Sequence, residues 1–74
     1  NSVGFSRLTY RILKEINIES KMINGKVYGN NHSWNLVNLD GNWLHLDITG
    51  DKLFKGKYFL ITDDAIKNMG YNWD

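Results

Sequence analysis

Residues 33–48 decide the fold of this chain, and they read Ser-Trp-Asn-Leu-Val-Asn-Leu-Asp-Gly-Asn-Trp-Leu-His-Leu-Asp-Ile. Two runs rich in aromatic and aliphatic residues, Ser33 to Leu39 and Asn42 to Ile48, flank the dipeptide Asp40-Gly41. Asp-Gly between two such runs is typical of a two-residue hairpin turn, because both turn positions need a positive φ. The stretch therefore predicts an antiparallel hairpin in which Leu39 lies opposite Asn42.

The register of this hairpin predicts a histidine–carboxylate pair. Counting away from the turn places Trp34 opposite Asp47, with His32 diagonal to Asp47 on the same face. Diagonal neighbours lie about 7 to 8 Å apart between Cα atoms, which a histidine side chain can span toward a carboxylate. The other face is expected to form an apolar core stripe, made of Val37, Leu39, Leu44, Leu46 and Ile48.

An amphipathic helix is predicted before the hairpin. Its apolar positions recur at spacings of three and four residues and are Phe5, Leu8, Ile12 and Ile16. Charged residues fill much of the opposite side, namely Arg7, Arg11, Lys14 and Glu15. Ser2 or a neighbour can cap the start and Asn17 can end the helix. Ser2 is thus expected at the positive end of the helix dipole, a favourable place for an anion.

The remaining elements complete an α+β order. Residues 21–28 have strand-like composition, although Asn24-Gly25 can interrupt them as a turn or bulge. Residues 52–57 form a charged connection, and residues 58–61 are predicted to be a buried strand. Thr62 is expected to cap a short helix from Asp63 to Met69, with Gly70 ending it. The predicted order is helix, three or four antiparallel strands and a terminal helical turn.

The composition is that of a single small globular domain. The 74 residues are 42% hydrophobic and 23% charged, and we treat residues 1–74 as one domain. A chain this short hides only about 60 to 65% of its unfolded surface, and here no cysteine is present to form a disulfide. Apolar periodicity begins almost at once after Asn1, without an initiating Met. We therefore expect a fragment of a larger domain, truncated at its N-terminus.

The charge balance and the composition argue against several kinds of partner and ligand. Nine Lys and Arg oppose eight Asp and Glu, giving a net charge of +1, which does not favour nucleic acid or an acidic membrane surface. No apolar run approaches the roughly 20 residues of a membrane span. Two histidines without cysteine exclude a closed zinc site. We expect neither metal nor cofactor, and the sequence leaves localisation and oligomeric state open.

Three side chains form a candidate catalytic group. A helix start that offers Ser2, beside a hairpin that offers His32 and Asp47, supplies a nucleophile, a general base and an orienting carboxylate from separate elements. Spacing alone is a weak signal, because small proteins commonly contain one residue of each type. His45 lies on the same predicted face and competes as the base, but we expect it to have a packing role.

The motifs around these residues resemble the bacterial transglutaminase-like superfamily. The resemblance covers residues 2 to 63, and its motifs are Ser2-Val3-Gly4-Phe5-Ser6, His32-Ser33-Trp34-Asn35, Asp40-Gly41-Asn42-Trp43 and His45-Leu46-Asp47-Ile48-Thr49. In that family a Cys-x-Gly-aromatic-small segment opens the catalytic helix. A His-Ala-Trp-Asn segment brings the base, and a Gly-x-Trp-aromatic-x-x-Asp-x-Thr segment brings the third member.

The resemblance implies a papain-like α+β fold and acyl transfer from a protein or peptide substrate through a cysteine thioester, ending in hydrolysis or transfer to an amine. It implies His32 as the base and Asp47 as its orienting group. Trp34 and Trp43 share the predicted face of these residues and are expected to form core or the wall of the cleft, with Trp34 as the candidate substrate-binding residue. The family cysteine corresponds to Ser2. A cysteine at a helix start beside a histidine can be a thiolate near neutral pH, whereas a serine hydroxyl cannot. We therefore expect little or no turnover.

Several alternatives stay open at this point. The serine can be a substitution introduced to trap an inert form, the mark of a natural member without catalysis, a true serine variant, or the result of an alignment offset at the N-terminus. The rival function is a non-catalytic module that binds a peptide or glycan in a cleft lined by Trp34 and Trp43. A chance motif in an unrelated α+β domain would leave His32 and Asp47 far apart.

Overall fold

The computed structural model describes residues 1–49 and 59–74. Two helices and five strands lie entirely within the described part. They are α1 (Ser2–Glu15), β1 (Ser20–Val27), β2 (Asn30–Leu39), β3 (Asn42–Leu46), β4 (Phe59–Ile61), α2 (Asp63–Lys67) and β5 (Tyr71–Asn72). The strands pair antiparallel in one sheet of order β4-β3-β2-β1-β5. The α+β class and the helix beside a small antiparallel sheet are confirmed.

The central hairpin of β2 and β3 has the predicted register. Leu39 pairs with Asn42, and the ladder continues to Asn35 opposite Leu46. Asp40 and Gly41 have φ values of 53° and 87°, as the predicted two-residue turn requires. The Asn38 side chain accepts a hydrogen bond of 2.9 Å from the Gly41 amide, which holds the turn in place. Local turn chemistry thus sets the position of every side chain along the hairpin.

Strand β1 is continuous, so Asn24-Gly25 does not interrupt it. Asn24 pairs with Ser33, and Gly25 pairs with His32. A Cβ atom at Gly25 would collide with the Asn72 carbonyl and lie 2.6 Å from the Trp34 ring. The glycine is therefore required for close packing against β5 and Trp34.

Helix α1 packs on the sheet through small polar residues rather than through its apolar stripe. Ser6 and Thr9 are buried, and their hydroxyls donate to α1 carbonyls at 3.1 and 2.8 Å. The Asn35 amide of β2 donates to the Ser6 carbonyl at 3.0 Å, which ties the helix to the sheet. The apolar residues of α1 that were expected to face the core are exposed, namely Phe5, Leu8, Ile12 and Ile16. Small side chains allow the backbones of the helix and the sheet to approach closely, which favours Ser6 and Thr9 at the contact. The apolar spacing therefore predicted the helix correctly but not the face that it buries.

The predicted core stripe is only partly correct. Val37 and Leu46 are buried, Leu39 and Leu44 are half-buried, and Ile48 is exposed. The larger cluster lies on the opposite face of β2 and has three buried members, Trp34, Ile66 and Tyr71. Partly buried apolar residues surround it, namely Ile23, Val27, Ile61, Met69 and Trp73. The sheet therefore buries side chains on both faces.

The C-terminal region starts as predicted and then adds a strand. The Thr62 hydroxyl accepts from the Ala65 amide at 3.3 Å, which caps α2. The helix ends at Lys67, two residues short of the prediction, and Gly70 adopts a φ of 88°. The chain then forms β5, whose Tyr71 pairs with Val27. The predicted connection at residues 52–57 and the start of the strand at residue 58 lie outside the described residues.

None of the helices in residues 1–49 and 59–74 has the length and apolar character needed to cross a membrane.

Candidate active site

The centre of the site is a hydrogen-bonded pair of His32 and Asp47. His32 Nε2 lies 2.7 Å from Asp47 Oδ2. His32 belongs to β2, and Asp47 directly follows β3, so the hairpin register brings the two side chains together across one face. The Asp47 side chain is 1% exposed and the His32 side chain is 18% exposed. The carboxylate is thus buried, while the imidazole keeps one edge open to solvent.

Tyr71 is a third member of this group, and sequence reasoning did not identify it. Its hydroxyl donates a hydrogen bond of 2.5 Å to Asp47 Oδ2, the same oxygen that contacts His32. Tyr71 reaches this position because β5 pairs with the end of β1. The only local signal for β5 is a short Tyr-Asn-Trp run after the helix-ending Gly70, too short to predict a strand.

The hydrogen bonds assign the proton on His32. A buried carboxylate that also accepts from a phenol acts as an acceptor toward the imidazole, so Nε2 carries the hydrogen. Nδ1 then holds the lone pair and is the basic nitrogen of the ring. A histidine held in one tautomer by a buried carboxylate is suited to act as a general base.

Ser2 is the first helical residue of α1, next to the Asn1 cap. The Asn1 side chain accepts from the Gly4 amide at 2.8 Å, which fixes the first turn. The Ser2 hydroxyl oxygen accepts from the Ser33 amide at 3.3 Å. Within the described residues, the structure gives Ser2 no hydrogen bond to the His32 ring. The helix start therefore lies beside β2 at the residue that follows His32.

Trp34 lies behind His32 in the core. The two rings stack at a centroid distance of 6.0 Å with 23° between their planes. Trp34 is 1% exposed, so of the two expected positions, core or cleft wall, it has the core position. Its side chain is buried by the Ile66 and Tyr71 cluster and supports His32 from the protein interior. Trp43 is only half-buried, and the Lys21 ammonium lies 4.7 Å above its ring.

His45 has a packing position, which agrees with the role expected for it. It is fully buried, and both ring nitrogens take part in hydrogen bonds, with Trp34 and with Asp63. This second histidine therefore has no free nitrogen to act as a base. No group of three or more His, Asp or Glu side chains in the described part of the chain is placed to hold a metal ion.

Comparisons of this chain with protein-family models, with curated proteins and with solved structures give no match. The functional interpretation consequently depends on the motifs and on the geometry of His32, Asp47, Tyr71 and Ser2. That geometry differs from what a chance motif predicts, because His32 and Asp47 are in direct contact.

Proposed function

We propose that this chain is the core of a transglutaminase-like, papain-like domain for acyl transfer or peptide hydrolysis, with Ser2 at the nucleophile position. The observation that carries the proposal is the 2.7 Å contact between His32 Nε2 and the buried Asp47 carboxylate, beside the first turn of α1. Each of the three residues comes from the motif expected to supply it. The family assignment and the activity are both part of the proposal.

In this proposal Asp47 holds the imidazole and stabilises its protonated form, and His32 Nδ1 takes the proton of the nucleophile. The Ser2 hydroxyl accepts a bond from the Ser33 amide, so its own hydrogen remains available to a base. The dipole of the 14-residue helix α1 favours negative charge at this end. The proposed proton transfer requires the Ser2 side chain to place Oγ within hydrogen-bond distance of Nδ1.

The proposed reaction is the same for a thiol or a hydroxyl at position 2. The nucleophile attacks a substrate carbonyl carbon and passes its proton to His32. His32 then protonates the departing amine as the carbonyl carbon–nitrogen bond breaks, which leaves an acyl-enzyme. Water completes hydrolysis, or a second amine completes transfer. These steps use side chains alone, so the proposal includes a protein or peptide substrate and no cofactor.

With serine rather than cysteine at position 2, the proposed reaction is slow. A serine hydroxyl must lose its proton during attack, whereas a thiol in the same place can be ionised beforehand. The rival function, a non-catalytic peptide- or glycan-binding module, depended on an aromatic cleft lined by Trp34 and Trp43. Because Trp34 is buried, a ligand cannot contact its ring, and the aromatic cleft lacks one of its two walls.

The test is the reactivity of a cysteine placed at position 2. We expect the Ser2→Cys protein to react with iodoacetamide quickly below pH 7. We expect His32→Ala in the same background to raise the pH midpoint of alkylation toward roughly 8.5, the pKa of an ordinary thiol. Arg11→Cys, at an exposed position on the same helix, is the matched control for an ordinary thiol. If the Ser2→Cys and Arg11→Cys profiles coincide, position 2 is not a nucleophile site and the proposal is wrong.

A further inference from the structure

A second histidine–aspartate pair lies next to the first. His45 Nε2 is 2.7 Å from Asp63 Oδ1, and the Trp34 indole N–H donates to His45 Nδ1 at 2.9 Å. His45 is 0% exposed, whereas the Asp63 side chain is 62% exposed at the start of α2. The pair therefore links a surface carboxylate to the core tryptophan.

The hydrogen bonds fix the state of His45. An indole nitrogen can only donate, so His45 Nδ1 accepts and carries no hydrogen. The hydrogen of the neutral ring is then on Nε2, where it is donated to Asp63. A histidine in this form bonds Trp34 and Asp63 at the same time. With the hydrogen on Nδ1 instead, the ring could neither accept from Trp34 nor donate to Asp63.

Trp34 contacts residues of both histidine–aspartate pairs. Its ring stacks on His32 at 6.0 Å and meets the Tyr71 ring edge-on at 5.0 Å. His32 and Tyr71 both form hydrogen bonds with Asp47 Oδ2. A shift of the indole would therefore displace two side chains that hold the carboxylate.

We propose that His45 and Asp63 are positioning residues for His32, acting through Trp34. The inference deepens the proposed function, on which its relevance to the reaction depends. Asp63 stands in the first turn of a helix, where the Thr62 cap and the helix dipole favour a carboxylate. Asp63 anchors His45, His45 fixes the plane of the indole, and the indole holds the imidazole of His32 in line with Asp47.

The chain offers a matched control for this test. Asp64 is the neighbouring exposed acid in the same helical turn. Asp63→Ala and Asp64→Ala remove the same charge and a similar dipole contribution, but only Asp63 contacts His45. Asp63→Asn is the conservative variant, because its amide oxygen can still accept from His45 Nε2.

Two measurements report on His32. In the Ser2→Cys background, we expect Asp63→Ala to slow iodoacetamide alkylation roughly two- to thirtyfold, the range of such indirect couplings. Asp64→Ala is expected to leave the rate unchanged, and Asp63→Asn to restore most of it. In the original chain, long-range ¹H–¹⁵N correlation of the histidine rings is expected to show altered His32 signals for Asp63→Ala alone.

The outcomes separate the two proposals. If Asp63→Ala and Asp64→Ala have equal effects on both readouts, the positioning role is wrong. If the parent Ser2→Cys thiol is ordinary, the proposed function fails, and the histidine spectra of the original chain still decide whether Asp63 positions His32. Unchanged His32 signals in a folded Asp63→Ala protein overturn the inference in either case.

Discussion

Tyr71 donates its hydroxyl hydrogen to Asp47 Oδ2 over 2.5 Å, although 24 residues separate them in the chain. The bond joins the last strand of the chain to the end of the central hairpin. The same oxygen accepts from His32, so one buried atom receives hydrogen bonds from β2 and from β5, two strands that β1 separates in the sheet. The carboxylate position is thus set by long-range packing as well as by the hairpin.

Removing the Tyr71 hydroxyl should destabilise the fold and loosen the site. Tyr71→Phe keeps the ring against Trp34 but takes one donor from a buried carboxylate, which we expect to lower the free energy of unfolding by about 1 to 3 kcal/mol. Urea unfolding followed by tryptophan fluorescence measures this change. Tyr28→Phe is the control, because Tyr28 is largely exposed. Equal unfolding midpoints for the two variants would show that the Tyr71–Asp47 bond contributes nothing.

The charge of Asp47 should govern the reactivity of the candidate nucleophile position. Asp47→Asn in the Ser2→Cys background removes the negative charge that stabilises a protonated His32. We expect the pH midpoint of alkylation to rise toward roughly 8.5, the pKa of an ordinary thiol, as we also expect for His32→Ala. Circular dichroism establishes that the variant is folded. A folded Asp47→Asn protein with the parent profile would exclude Asp47 from the proposed mechanism.

The hairpin could be predicted from the sequence because its information is local. Asp40-Gly41 sets the turn, the turn sets the register, and the register brings His32 to Asp47. Tyr71 and Asp63 could not be predicted in the same way. Their positions depend on where α2 and β5 pack, which no short-range pattern specifies.

The buried face of α1 is a second case that the sequence pattern could not determine. Apolar periodicity indicated the face formed by Phe5, Leu8, Ile12 and Ile16, but the sheet receives Ser6 and Thr9 instead. A small hydroxyl that bonds its own helix loses little on burial and lets two backbones approach closely. Hydropathy alone gives such residues no preference for the core.

The observed orientation of α1 predicts an unusual pattern of substitution effects. Leu8→Ser and Ile12→Ser act on half-exposed side chains, so each should change the free energy of unfolding of this chain by only about 0.5 kcal/mol, apart from helix propensity. Ser6→Leu should destabilise by about 1 to 3 kcal/mol, because it inserts a large side chain between α1 and β2. Thermal unfolding followed at 222 nm compares the three. The reverse order would show that the apolar stripe faces the sheet.

Gly25 should be essential to the site even though it lies outside it. A methyl group there meets the Asn72 carbonyl and the Trp34 ring, so Gly25→Ala is expected to push β5 away from β1 and to cost about 1 to 3 kcal/mol. Gly29→Ala is the control, since Gly29 has a φ of 82° and open space around it. Its cost of about 1 kcal/mol comes from backbone strain alone. Because β5 carries Tyr71, we expect only Gly25→Ala to alter the histidine spectra of His32. If both variants leave these spectra unchanged, the position of β5 does not control the Asp47–His32 pair.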